Sequence, residues 1–190
     1  MSELFEILSH TLQAPVDGFD QFEAAARLIK VPAQQELIPA HQIPTHLYVV
    51  KTGLARAVFF TQAGKEYSKE FFWENDLIFA MRHLITGQPI PYKIVTVETC
   101  QLYQIPVAVY RKLVDSKPQW KDYHLKQLEI HLLAKEIKEE LLLLNSNEQK
   151  VERAYQLFPD FVTRVPATLL ASYLGLTPVS LSRIKKRLGL

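Results

Sequence analysis

The spacing of apolar residues changes twice along the chain, from a helical period to a strand period and back to a helical period. Residues 4–30 predict short helices, because their apolar side chains recur at steps of three and four on either side of a break at APVDG. The residues that carry this pattern are Leu4, Ile7, Leu8, Leu12, Phe19, Phe22, Ala26 and Ile29.

Beyond Val31, runs of β-branched and aromatic residues alternate with Pro, Gly and Asn-Asp interruptions, which predicts β-strands. The stretch TQAGKE predicts a hairpin turn in which Gly64 takes a positive φ. Strands that are this short and closely spaced imply an antiparallel sandwich or a barrel-like roll. The strand candidates are LYVV, LARAVFF, KEYSKEFFW, YKIVTVET and CQLYQIP.

Two helices follow the predicted strands, at residues 107–116 and 118–146. The second has Pro118 in its first turn, a position that suits proline, and would span about 40 Å. Its apolar stripe is either a cover for the roll or a seam against a second copy of the chain, and its length favours the seam. The stripe contains Leu125, Leu128, Ile130, Leu132, Leu133, Ile137, Leu141 and Leu144. The predicted dimer contacts are Leu125, Leu128, Leu132, Leu133 and Ile137.

The segment from residue 147 to residue 190 predicts a compact helical module that ends in a helix-turn-helix. Pro166 begins one helix and Gly175 ends it; Thr177 then caps a second helix that has Pro178 at its first position. This second helix is predicted to reach about Leu188. Its inward residues are Leu181, Ile184 and Leu188, and its outward residues are Ser180, Ser182, Arg183, Lys186 and Arg187.

Charge is unevenly distributed, although the chain carries only +2 in total. Residues 145–190 contain seven Lys and Arg against three Asp and Glu, a net +4, so residues 1–144 carry −2. A basic module on a slightly acidic body indicates an end that binds a polyanion. The alternative is a helical hairpin that merely ends in charged residues.

If the polyanion is DNA, the last helix would enter the major groove, with Ser180 and Arg183 at base edges and the remaining cations at phosphates. Val179 could meet a thymine methyl group. The predicted DNA-binding residues are Thr177, Val179, Ser180, Ser182, Arg183, Lys185, Lys186 and Arg187.

Composition argues against several classes of protein. Cys100 is the one cysteine, which rules out a disulfide framework and a cysteine-ligated metal cluster within the chain and fits a reducing cytoplasm. We expect no secretory signal and no membrane span, because no apolar run approaches the ~20 residues that a span needs. The six histidines lack metal-site spacing. No metal, no cofactor and no enzymatic activity are therefore expected; a cupin-like metalloenzyme is the alternative.

The whole chain resembles the Crp/Fnr family of bacterial transcription regulators. The resemblance is carried by LYVVKTGLARAVFF and GKEYSKEFFWENDLI in the predicted roll, by the long helix, and by VPATLLASYLGLTPVSLSRIKKRL, where Leu-Ser-Arg at 181–183 is its most specific part. It implies an α+β fold: an antiparallel β-roll of the cyclic-nucleotide-binding type (a double-stranded β-helix) with flanking helices, a long dimerisation helix and a winged helix-turn-helix. The implied segments are a sensor roll at 1–116, a dimerisation helix at 117–146 and a DNA-binding module at 147–190.

The chain departs from the family at the nucleotide cassette. Family members that bind cyclic AMP carry Gly-Glu and, further along, Arg-Ser or Arg-Thr, which hold the ribose and the cyclic phosphate. Phe79-Ala80 and Ile90-Pro91 occupy the matching places here. A buried phosphate without its cation is costly, so cyclic AMP is not expected as the effector. Nearby residues could form a pocket for another anion, or could be surface groups around an unliganded roll. They are Arg82, His83, Tyr92 and Lys93.

A second departure lies at the DNA end. Pro178 and Val179 stand where family members often place Arg and Glu, whereas Arg183 matches a common base-contacting Arg and Ser180 a polar neighbour. The sequence stops at Leu190, before the β-hairpin wing that the resemblance implies. We therefore expect a truncated winged helix with weaker DNA binding or a greater dependence on the dimer.

These observations predict a homodimeric DNA-binding transcription regulator that reads a palindromic operator. The expected partners are double-stranded DNA, a second copy of the chain, RNA polymerase, and either an unidentified small-molecule effector or none. The alternative function is a small-molecule-binding β-roll protein that acts through protein contacts, without sequence-specific DNA binding.

Overall fold

The computed structural model describes residues 2–190, and Met1 lies outside them. The chain forms two compact units. Unit 1 consists of the residues up to Phe59 together with Glu70–Glu129, and unit 2 consists of Phe60–Lys69 together with Ile130–Leu190. The division falls inside the longest helix and inside one β-hairpin. The two units are defined by contacts between residues. The predicted functional segments, with boundaries at 116 and 146, stay a prediction.

Short strands form the core of unit 1. They make two four-stranded sheets, in the orders β1-β8-β3-β6 and β2-β7-β4-β5. The register is antiparallel, for example with Leu47 opposite Ile105 and Ala57 opposite Ile94. The strands are β1 (Arg27–Val31), β2 (Glu36–Ile38), β3 (His46–Thr52), β4 (Ala55–Phe60), β5 (Glu66–Phe72), β6 (Leu77–Ile78), β7 (Lys93–Thr96) and β8 (Cys100–Pro106).

Strand β3 of the first sheet is buried on both of its faces, to which successive side chains of a strand point in turn. Tyr48 and Val50 of β3 pack with Ile94 of the other sheet in the core of the roll. Leu47 and Val49 belong to a second core, which the helices of unit 1 cover. The run of apolar residues in β3 is therefore a sign of burial on two sides.

The helices of unit 1 pack around aromatic residues. Trp120 is completely buried; its ring centroid lies 4.8 Å from that of Phe22 and 6.1 Å from that of Tyr110. Its indole Nε1 donates to the backbone oxygen of Asp17 at 2.9 Å. The beginning of the longest helix is thus fixed by apolar burial and one hydrogen bond. These helices are α1 (Glu3–Ser9), α2 (Phe19–Ala25), α3 (Met81–Thr86), α4 (Val107–Ser116) and the first part of α5 (Pro118–Leu144).

Unit 2 contains the second part of α5, the remaining helices and the tip of the β4–β5 hairpin, residues 60–69. A capping box begins its first complete helix, since the Ser146 hydroxyl accepts from the N–H of Gln149 and the Gln149 side chain accepts from the N–H of Ser146. The helices are α6 (Asn147–Leu157), α7 (Pro159–Arg164), α8 (Ala167–Tyr173) and α9 (Pro178–Leu188).

The structure confirms the α+β fold with its antiparallel roll and the five strand candidates. It also confirms the two helices predicted at 107–116 and 118–146, the second of which ends at Leu144. One expectation is wrong: the segment around Ile29 is strand β1, which pairs with β8 and places Ile29 opposite Leu102. Pairing between distant segments overrides the local helical period there. The short elements α3, α7, β2 and β6 were not predicted. Within residues 2–190, none of the helices combines the length and apolar character that a bilayer crossing requires.

Gly53 occupies a position that only glycine fits. Its φ is +114°, and a Cβ built there would lie 2.6 Å from Sγ and 2.7 Å from Cα of Cys100. Its N–H donates to Glu74 Oε1 at 2.7 Å, which ties the β3–β4 turn to the turn after β5. Gly64, at the hairpin turn, also has a positive φ of +76°, as predicted, but a Cβ there would meet nothing within 4 Å.

Replacing Gly53 with Ala should therefore cost more stability than replacing Gly64 with Ala. Gly64→Ala pays only for the left-handed backbone, about 1–2 kcal/mol. Gly53→Ala adds a clash with backbone atoms that cannot move aside, so its total should reach roughly 2–4 kcal/mol. Urea unfolding of both variants measures the difference. Equal losses would show that the Cys100 contact relaxes without cost.

Candidate nucleic-acid interface

A tight turn joins α8 to α9. Gly175 has a φ of +69°, the N–H of Leu176 donates to the oxygen of Ala171 at 2.8 Å, and the N–H of Gly175 donates to the oxygen of Ser172 at 3.4 Å. This pair of bonds is a Schellman motif, which favours glycine because no Cβ opposes the left-handed backbone. The prediction that Gly175 ends the helix is confirmed.

Two local residues set the start of α9. The hydroxyl of Thr177 accepts from the N–H of Ser180 at 3.1 Å and donates to the Ser180 hydroxyl at 2.9 Å. Pro178 takes the first helical position, where its missing N–H costs nothing. The predicted cap and the predicted helix end at Leu188 are both confirmed.

The inner face of α9 packs on α6 and α8. Leu181 and Ile184 are buried and Leu188 is half-buried, in agreement with the predicted helical spacing. The supporting helices contribute their own buried side chains to this unit, namely Val151, Ala154, Leu170, Ala171 and Leu174. Apolar contacts of Leu181, Ile184 and Leu188 therefore hold α9 in place. The opposite face of the helix is not needed for this packing.

That opposite face is exposed. Val179, Ser182, Arg183 and Lys186 are all exposed and lie within an arc of roughly 100° at 3.6 residues per turn. They present a methyl-bearing group, a hydroxyl, a guanidinium and an ammonium along two turns of one helix. We call these four residues the reading face.

The other predicted contact residues of α9 have partners inside unit 2. The Lys185 ammonium lies 5.3 Å from the ring centroid of Tyr155, and Arg187 lies 3.4 Å from the carboxylate of Glu148 in an exposed ion pair. Ser180 is half-buried and receives the bond from Thr177. No local sequence pattern indicates either contact, since Tyr155 and Glu148 both lie on α6, about thirty to forty residues before their partners.

Comparison with known proteins finds similarity to bacterial regulators. Residues 28–117 match the family described as the cyclic nucleotide-binding domain. The fumarate and nitrate reduction regulatory protein of Vibrio cholerae is 28% identical over 92% of this chain and 73% of its own length.

Two solved structures share the fold over most of both chains. The c-di-GMP responsive global regulator CLP of Xanthomonas campestris has a TM-score of 0.75 at 17% identity, with 92% of each chain covered. A protein of Eubacterium rectale assigned to the Crp/Fnr family has a TM-score of 0.75 at 13% identity, over 93% of this chain and 84% of its own. The resemblance to the Crp/Fnr family is confirmed.

The apolar stripe of this Crp/Fnr-like chain lies on α5. The exposed fractions of Leu132 and Leu133 are 69% and 57%, and Leu143 and Leu144 are more exposed still. Leu125 and Ile130 are also exposed, Ile137 is half-buried, and Leu128 packs against the helical core of unit 1. Exposed leucines along a helix of 27 residues form an apolar surface that water does not favour.

The two anchor sites of the nucleotide cassette are filled by apolar core. Ala80 and Ile90 belong to the core between the sheets, and Ile90 is completely buried. Phe79 belongs to the helical core, where its ring centroid lies 6.5 Å from that of His124 on α5. The three described side chains at the positions that the resemblance matches to the ribose and phosphate anchors are therefore apolar and buried.

The four candidate effector residues differ in environment. His83 and Tyr92 are buried, Arg82 is exposed, and Lys93 is half-buried with its ammonium 3.8 Å from Glu36. His83 Nδ1 lies 3.2 Å from the backbone oxygen of Gln88. A pocket for an effector formed by these four residues stays a prediction.

Electrostatics around Tyr92 favour its neutral form. Burial, with a smaller contribution from the charge of Glu70 and a partial offset by that of Arg82, raises the pKa of Tyr92 to about 12. Its ring packs edge-on against Phe59 at 5.6 Å between centroids. Tyr92 therefore serves the core of the roll as a neutral, buried aromatic residue.

The turn that precedes the cassette contains a buried acid. The carboxylate of Asp76 accepts from the N–H of Trp73 at 2.9 Å. Burial raises the pKa of Asp76 to about 7, and the nearby charges of Glu70 and Glu74 add to the rise. Asp76 belongs to the turn after β5 and is not one of the reading-face residues.

Unit 1 also contains pockets that sequence analysis missed. One, of about 290 Å³, lies between the loop after α1 and the first turns of α5; it is lined by Leu12, Gln13, Ala14, Pro15, Val16, Gln119, Asp122, Tyr123 and Lys126. Gln119 closes its floor by accepting from the N–H groups of Val16 and Asp17 at 2.9 and 3.1 Å. Contacts over a hundred residues apart build this pocket, so no local pattern could have indicated it.

Proposed function

We propose that this chain is a homodimeric transcription regulator of the Crp/Fnr type, which reads a palindromic DNA operator through α9 and does not use cyclic AMP as its effector. The observation that supports it best is the reading face, which is exposed on the second helix of a helix-turn-helix in a fold shared with bacterial regulators. Double-stranded DNA and a second copy of the chain are the proposed partners, and RNA polymerase is the further partner that such a regulator would engage.

The chemistry of the reading face suits a major groove. A guanidinium can bond bidentately to guanine O6 and N7, and an apolar side chain can contact the thymine methyl. Arg183 and Val179 supply these two groups one turn apart. Lys186 stands one turn further along, where a helix that crosses the groove reaches the phosphates.

Arg183→Ala and Lys186→Ala should consequently weaken DNA binding in different ways. Loss of Arg183 should cost roughly 1–3 kcal/mol on the operator and relax the preference at one base pair in each half-site. Loss of Lys186 should weaken binding to all sequences alike and reduce the salt slope by about one unit per subunit. A salt titration of both variants on specific and random duplexes measures both effects.

The same titration separates the proposal from its alternatives. If Arg183→Ala lowers both affinities equally, Arg183 contacts phosphate only, and base reading passes to Val179 and Ser180. If the wild type shifts no duplex at two salt concentrations, the roll acts through protein contacts without DNA. Selection of bound fragments from the source genome provides the operator for these measurements.

A homodimer would cover the apolar surface of α5. Ile130, Leu133, Ile137 and Leu144 follow one another at steps of three, four and seven, as the residues of a coiled-coil seam do. The exposure of Ile130, Leu133 and Leu144 within one chain supports a partner helix of the same kind. Two copies related by a two-fold axis would place their reading faces about one helical turn apart, roughly 34 Å.

Replacing Leu133 and Ile137 together with Glu should yield monomers, because the change puts like charges into the seam and removes its apolar area. Sedimentation equilibrium measures the result. The matched control replaces both residues with Met, which keeps the apolar character and the helix propensity and should remain dimeric. A Glu double variant that still sediments as a dimer would place the seam elsewhere.

The apolar cassette supports the last part of the proposal. A cyclic phosphate placed beside Ile90 and Ala80 would lose its hydration without gaining a cation, which costs several kcal/mol. Neither cyclic AMP nor cyclic GMP should therefore bind at physiological concentration. Calorimetric titration of each nucleotide tests this expectation, and a micromolar affinity for either would refute it.

A further inference from the structure

Hydrogen bonds attach the hairpin tip, residues 60–69, to helix α8. Ser68 is 3% exposed and its N–H donates to the Ser172 hydroxyl at 2.9 Å. The Ser68 hydroxyl donates to the oxygen of Leu169 at 3.3 Å, and the Ser172 hydroxyl donates to the oxygen of Glu66 at 3.4 Å. Ser68 thus donates twice to α8, and Ser172 both accepts from the tip and donates to it, which fixes the register of the tip against α8.

Lys138 brings the helix α5 into this contact. Its ammonium donates to the backbone oxygens of Ser68 and Lys69 at 3.2 and 2.7 Å. The same ammonium lies 3.9 Å from the ring centroid of Tyr173, within the range of a cation–π interaction. One half-buried charge on α5 therefore contacts the tip and α8 at once.

The contact leaves the reading face open. The bonds of Ser68, Ser172 and Lys138 reach α5 and α8, whereas Val179, Ser182, Arg183 and Lys186 of α9 are exposed. A contact that covered α9 would block DNA. The contact described here is made with α8 instead. Its geometry suits positioning rather than inhibition.

We propose that Lys138, Ser68 and Ser172 form a latch that fixes α8, and with it the reading face, relative to the C-terminal part of α5. This proposal rests on the proposed function for its consequence. In a dimer joined along α5, the spacing of the two reading faces depends on how firmly each helix-turn-helix is held to its own α5. The latch residues are positioning residues, since they act on DNA only through α8 and α9.

Loss of the latch should therefore reduce the advantage of two linked half-sites and spare the contacts within each half-site. Linking two half-sites in one palindrome raises affinity above that for an isolated half-site. Lys138→Ala and Ser172→Ala should each reduce this gain by about tenfold and leave affinity for an isolated half-site unchanged. Ser172→Ala changes no charge and keeps a good helix former in α8. Fluorescence anisotropy on both duplexes measures the two affinities.

The matched control is Lys121→Ala, which removes the same charge from an exposed position of α5. This variant should change neither the affinity for the palindrome nor the affinity for the isolated half-site. Amide hydrogen exchange of the free protein supplies a readout without DNA: both latch variants should exchange faster in residues 60–69 and in α8, while the roll keeps its protection.

Faster exchange with an unchanged palindrome advantage would overturn the positioning role, and unchanged exchange in both variants would overturn the latch itself. A loss of half-site affinity equal to the loss on the palindrome would also contradict it, because the variants would then act on DNA directly. If the wild type binds neither duplex, the proposed function fails, and the exchange data still decide whether the tip holds α8.

Discussion

The burial of Trp120 is the contact on which the rest of the chain depends. A completely buried indole, packed on Phe22 and bonded to Asp17, gives the first turns of α5 one possible place against the helical core of unit 1. An aromatic side chain of this size contributes more burial than any other residue type could at that position. Helix α5 then continues unbroken to Leu144, and its residues from Ile130 onward belong to unit 2. Its exposed leucines follow from this extension.

The roll has apolar core residues at the positions that the resemblance matches to the nucleotide anchors. Ile90 and Ala80 lie in the core between the sheets, so the positions that family members use for anchoring charges here stabilise the sheets instead. Apolar burial contributes stability at all times, whereas a buried charge contributes only when its partner is present. Ala80 and Ile90 therefore contribute to the stability of the roll through apolar packing.

Sequence patterns located the features that local chemistry determines. Gly175, Thr177 and Pro178 could be placed because a left-handed end, a side-chain cap and a first-turn proline are each decided within a few residues. Strand β1 could not be, since its pairing with β8 joins segments separated by about seventy residues and outweighs the helical spacing that ends at Ile29. The bonds between Ser68 and Ser172 had no signal at all, because serine in a strand and serine in a helix are both ordinary.

The cations of α9 show how geometry divides one charged helix between folding and binding. Lys185 and Lys186 are adjacent in sequence, yet 100° of helical turn directs the first toward the ring of Tyr155 and the second toward water. Arg187 lies between these extremes and shares its charge with Glu148 across an exposed ion pair, which costs little to exchange for a phosphate. A count of basic residues treats these cations alike. The burial of Leu181 and Ile184 distinguishes them, because it fixes which face of α9 points inward. The charges on the opposite face remain available to a polyanion.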